Sequence, residues 1–63
     1  MNRSSATMEV ISRTSAGREY RRLVESEREL RTRALEAALD ARIVEVRIRR
    51  GLRVESWWRD RRA

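Results

Sequence analysis

The chain has 63 residues and a net charge of +6, from sixteen basic residues against ten acidic ones, and it contains no cysteine, histidine or proline. A chain this short buries only about 60% of the surface its unfolded form exposes, so its stability margin is thin and a staple is expected. With no Cys that staple is not a disulfide. With neither Cys nor His the usual zinc, iron and copper ligands are missing, and no metal or other cofactor is expected. Lys is absent as well, so the common general bases and activated nucleophiles of neutral pH are gone. Carboxylate chemistry of the glycosidase kind needs a cleft with two walls, which a chain of this size hardly has the mass to build. The expectation is a protein that acts by binding, not an enzyme.

No stretch approaches the roughly 20 apolar residues that span a bilayer, and Met1 to Thr7 lacks the apolar core of a signal peptide. The chain is expected to be intracellular and cytoplasmic, with no membrane partner. Every basic residue is Arg. A GC-rich bacterial or phage genome produces that bias unaided. Arg also brings a planar fork that suits phosphate and carboxylate recognition, and the two explanations are compatible.

The pattern allows two readings of the first 25 residues. In one, a continuous helix runs from Ser15 to Ala41 and aligns Tyr20, Leu23, Leu30, Ala34, Ala37 and Ala41 in a heptad seam, with Glu27 placed awkwardly inside it. In the other, the helix breaks at Ser26, and Thr7 to Arg13 and Arg18 to Glu25 form a hairpin around Ser15-Ala16-Gly17. Met8 and Val10 would then face inward from the first strand, and Tyr20 and Val24 from the second. Thr7, Ser12, Thr14 and Ser15 read as turn and cap material.

Ser26-Glu27-Arg28-Glu29 has the Ser-x-x-Glu form of a capping box, and an Ala- and Leu-rich run follows it. This predicts a helix from about Glu27 to Ala41. Leu30, Ala34, Ala37, Ala38 and Ala41 share one side, and Leu35 and Leu39 widen the stripe. Glu27 and Arg31, one turn apart, read as an exposed pair worth a few tenths of a kcal/mol.

From Ile43 to Trp58 the apolar residues Val44, Val46, Ile48, Leu52, Val54 and Trp58 fall on even positions, which is strand periodicity. A hairpin of residues 42–49 and 52–58 is expected, closed by the three-residue loop Arg49-Arg50-Gly51 with glycine in the left-handed position. That register sets Ile48 opposite Leu52, Val46 opposite Val54 and Ile43 opposite Trp57. On the charged side it sets Glu45 opposite Glu55 and Arg47 opposite Arg53, offset by the diagonals Glu45 to Arg53 and Arg47 to Glu55. Trp58 would enter the core. Trp57 would emerge among the charges, with Ile43 as its alternative cover.

The basic character is concentrated at the end of the chain: residues 1–41 hold 8 Arg against 7 acids, and residues 42–63 hold 8 against 3. Arg47, Arg49, Arg50 and Arg53, continued by Arg59, Arg61 and Arg62, are the leading candidates for contact with a phosphate backbone. Trp57 is a candidate for stacking on a base or anchoring a protein interface. A solvated face in an Arg-biased proteome explains the same residues, and no helix-turn-helix, zinc-finger, RNP or KH pattern accompanies them.

The fold class expected is α+β, one helix on a small antiparallel sheet. An apolar sheet face that one short helix does not cover motivates a homodimer as a further hypothesis. Three functional classes compete. The first is binding of nucleic acid or a nucleoprotein complex through the C-terminal hairpin. The second is a protein-binding inhibitor or adaptor of the kind phages encode, anti-CRISPR proteins among them. The third is a structural component of a virion or ribonucleoprotein.

Overall fold

A computed structural model of the chain describes residues 7–61. Its elements are β1 (Met8–Thr14), β2 (Glu19–Val24), α1 (Glu27–Leu39), β3 (Ile43–Arg50) and β4 (Arg53–Arg59). The four strands form one antiparallel sheet in the order β2-β1-β3-β4, and α1 packs across one side of it. This is the α+β architecture, with β3 and β4 as a C-terminal hairpin. No helix among the described residues is long and apolar enough to cross a membrane.

Residues 7–25 take the hairpin form. The Thr14 carbonyl accepts from the Gly17 amide at 2.9 Å, and the Thr14 hydroxyl accepts from the Arg18 amide at 3.1 Å. Gly17 has a φ of 90°, a conformation open to glycine at little cost. Met8, Val10 and Val24 are buried on the helix side, as the alternation implies. Tyr20 is exposed, and Ser12 is buried within β1.

Helix α1 starts where its capping residues direct. The Ser26 hydroxyl accepts from the Glu29 amide at 3.1 Å, and the Glu29 carboxylate accepts from the Glu25 amide at 3.0 Å, one residue before the usual capping-box partner. The helix ends at Leu39, two residues short of the expected Ala41. Asp40 is the reason: its carboxylate accepts from the Arg42 amide at 2.9 Å, a local bond that competes with continued helix. Only Leu30 and Ala34 are fully buried, with Ala37 and Ala38 partly so. Leu35 and Leu39 point to solvent and do not widen the stripe.

The core joins Met8, Val10, Val24, Leu30, Ala34, Ile43, Val46 and Ile48, and Trp57 and Trp58 pack against it. The β3–β4 register differs from the expected one. The connection is the two-residue turn Gly51-Leu52, so Arg50 faces Arg53, Arg49 faces Val54 and Ile48 faces Glu55. Gly51, with a φ of 62°, occupies the first central position, where a type II′ hairpin turn calls for glycine. Even positions of β3 therefore share a side with odd positions of β4. Leu52 is fully exposed, at 103% relative accessibility, and Val54 sits on the side away from the helix, so neither joins the core.

A β-bulge then restores the apolar match. Arg47 faces Ser56 but Val46 faces Trp58, which leaves Trp57 as the extra residue. Both tryptophans consequently turn toward the core, and Ile43 is buried in that same cluster instead of capping Trp57 on the charged side.

Candidate binding surface

The side of the sheet away from α1 is not a bare apolar face. Ile11 at its centre is only 2% exposed, and its register neighbours are Arg21 on β2 and Arg47 on β3. The aliphatic stems of such arginines cover apolar surface while their heads stay wet. Those heads are held by glutamates. Glu19 accepts from Arg47 at 2.6 Å and from Arg21 at 3.1 Å. Glu9, largely buried, accepts from Arg49 at 3.0 Å and from Arg21 at 3.2 Å. Glu45 accepts from Arg13 at 3.0 Å, and Arg59 lies 4.0 Å from its other oxygen. Arg49 also donates to the Gly51 carbonyl at 2.7 Å.

This lattice ties strands that are distant in sequence, and it replaces the diagonals expected within the hairpin. Arg47 is paired with Glu19 rather than Glu55, and Glu45 with Arg13 and, loosely, Arg59 rather than Arg53.

Arg50 is engaged from the helix side. Its guanidinium grips Glu27 through two hydrogen bonds of 2.8 and 2.9 Å, and Glu55 stands 3.8 Å away. Glu27 therefore pairs with the hairpin and not with Arg31. The hydrogen bond from Arg50 holds the Glu27 carboxyl below the usual range, and the same bond holds the Arg50 guanidinium above its own. Asp40 is drawn down to about 2, chiefly by its hydrogen bond from the Arg42 side chain.

The candidate arginines thus fall into two groups. Arg47, Arg49 and Arg50 are committed to short intramolecular pairs. Arg53 and Arg59, with side chains 80% and 67% exposed, reach their nearest carboxylates only at 3.7 and 4.0 Å. Arg61 is exposed and makes no ion pair among the described residues, and Arg62 lies outside them. All three described members of this second group lie on β4 or just after it, and β4 is an edge strand. Trp57, on the same strand, is half-buried against the core.

Two features were not legible as site elements in the sequence. Arg22 makes no ion pair among the described residues, and the Nε of Arg33 is shielded from solvent without a hydrogen-bond partner. Both line a groove of about 430 Å³ between α1 and β2. Only the packing of the helix across the sheet brings them together. No protein-family model, no curated protein and no solved structure matches this chain.

Proposed function

We propose that this chain is a non-catalytic protein that binds nucleic acid, contacting the phosphate backbone along the outer edge of its C-terminal hairpin through Arg53, Arg59 and Arg61. The observation that carries the reading is that, among the described residues, no carboxylate lies closer than 3.7 Å to Arg53 or 4.0 Å to Arg59, and none pairs with Arg61. An exposed guanidinium whose ion pair is long gives up little when it meets a phosphate. Arg47 and Arg49 would have to leave Glu19 and Glu9 first. Six residues of strand separate Arg53 from Arg59, about 20 Å at ~3.3 Å per residue, which is the axial length of about six base pairs. The contact is to backbone and carries no base readout by itself. Arg47, Arg49 and Arg50 act in this reading by holding the hairpin rigid.

The test is a fluorescence-anisotropy titration of labelled single-stranded and duplex DNA and RNA over a range of salt. Three phosphate contacts correspond to a log–log salt slope of about −2.7 on duplex DNA, and loss of one arginine removes about 0.9 of it. Arg53→Glu with Arg59→Glu is expected to abolish binding, with the fold intact by circular dichroism. Salt-insensitive binding, or full binding by that double variant, would dismiss the reading. A chain that binds no nucleic acid at low salt would return the question to a protein partner.

A further inference from the structure

Among the described residues nothing pairs with the outer edge of β2, and α1 stands beside that edge to form the groove. Val10 and Ala37 provide its apolar floor, and Tyr20, Arg22, Arg33 and Glu36 its polar walls. Arg33 donates from Nη1 to Glu36 at 2.9 Å. Its other edge, the side-on fork of Nε and Nη2, has no acceptor among the described residues, and Nε is closed off from water. Closed to water, Nε is closed to an incoming carboxylate as well, and Nη2 is the Arg33 donor left to meet one. Arg22 is exposed, on the helix side opposite Val10, and makes no ion pair among the described residues.

We propose that β2 is a docking edge for an extended acidic segment of a partner protein, which adds a fifth strand to the sheet and lowers a carboxylate side chain into the groove between Arg22 and Arg33. Strand addition satisfies the free backbone groups of β2, and side-chain pockets at alternate positions supply selectivity. Side chains of the added strand alternate between the two sides of the sheet. Those on the groove side meet the two arginines. Those on the open side meet Glu19 and Arg21, which are paired with each other, and Leu23, which is 65% exposed. The segment that fits therefore carries acidic residues on the groove side and an apolar residue beside Leu23. A second copy of β2 fits less well, because each antiparallel register that uses most of the strand places Arg21 or Arg22 opposite itself, and like charges directly across are unfavourable. β2 and β4 are opposite edges of the sheet, so this inference stands or falls separately from the nucleic-acid reading.

The experiment titrates the full chain with a fluorescein-labelled hexapeptide alternating Glu and Val, alongside its Gln-for-Glu counterpart, and follows amide hydrogen exchange by NMR. The expected result is binding of the Glu peptide only, with exchange slowed at alternate amides of β2. Arg22→Ala and Arg33→Gln are each expected to weaken binding about tenfold. Arg28→Ala removes an equally exposed charge that does not line the groove and is expected to have no effect. Equal weakening by Arg28→Ala would reduce the interaction to net charge and overturn the proposal. Protection at β4 instead of β2, or β2 protection without peptide in a chain that light scattering shows to be dimeric, would overturn it as well.

Discussion

Glu27 and Arg50 lie 23 residues apart in the chain and are joined by two hydrogen bonds, one from Nε at 2.8 Å and one from Nη2 at 2.9 Å. The pair fastens the first turn of α1 to the last residue of β3. Glu27 serves twice there, since a carboxylate in the first helical turn also complements the helix dipole. Replacing either residue by Ala should lower the melting temperature slightly, because the pair is solvent-exposed and screened. The double variant should lose less than the sum of the two single losses. Thermal melts of the two single variants and the double at low and high salt test this, and strict additivity would show that the bond contributes nothing.

Val46, fully buried, and Leu52, fully exposed, are both apolar positions of the hairpin with opposite weight in stability. Val46→Ala removes packing at the centre of the core and is expected to cost about 2 kcal/mol. For a chain of this size that corresponds to a drop on the order of 10 °C in Tm. Leu52→Ala is expected to change stability by less than about 0.5 kcal/mol. Calorimetry on the two variants checks the register directly, since the three-residue loop would have made both residues core.

Glu9 accepts from two arginines while largely buried in the central strand β1. Glu9→Ala leaves Arg21 with Glu19 alone and Arg49 without a carboxylate. The expected loss is about 1–2 kcal/mol in urea unfolding, the scale of a lost charge-assisted hydrogen bond. Arg49→Ala should likewise lower stability while leaving nucleic-acid affinity nearly unchanged. Arg53→Ala and Arg59→Ala should do the reverse. Comparing urea midpoints with anisotropy midpoints across these variants separates holding residues from contacting ones.

Asp40 titrates at about 2 instead of 3.8, because Arg42 hydrogen-bonds its charged form through both side chain and backbone. A carboxylate depressed in the folded state contributes stability above its unfolded pKa and loses it as pH falls through the folded one. Its contribution therefore holds above about pH 4 and disappears between about pH 4 and pH 2. Glu27, also depressed, acts in the same direction. Carboxyl chemical shifts followed by NMR from pH 5 downward should show Asp40 titrating late. In Arg42→Ala its midpoint should move up toward 3.8, and an unmoved midpoint would contradict the assignment of cause.

The features legible in the sequence were those that depend on neighbours within a few residues. Ser26 and Glu29 mark the helix start because a capping box is closed by atoms three or four positions apart. Gly51 marks the hairpin turn because a positive φ is a local demand. Tertiary structure decided the rest. Whether residues 15–25 extend the helix or form β2 depends on whether Val24 finds Met8 and Val10 to pack with. The hairpin register turned on a single residue of loop length and a compensating bulge at Trp57, and that choice lets both tryptophans reach the core at the expense of Leu52 and Val54. The candidate arginines divided in the same way. Side-chain type alone does not distinguish Arg47 from Arg59, since their partners come from strands as far as 28 residues away. Composition determined the charge of this protein and the chemistry it lacks. Only the pairing of the four strands determined which arginines are committed within the chain and which remain on an open edge, because ion pairing depends on distance in space, and the sheet brings together residues that the sequence keeps apart.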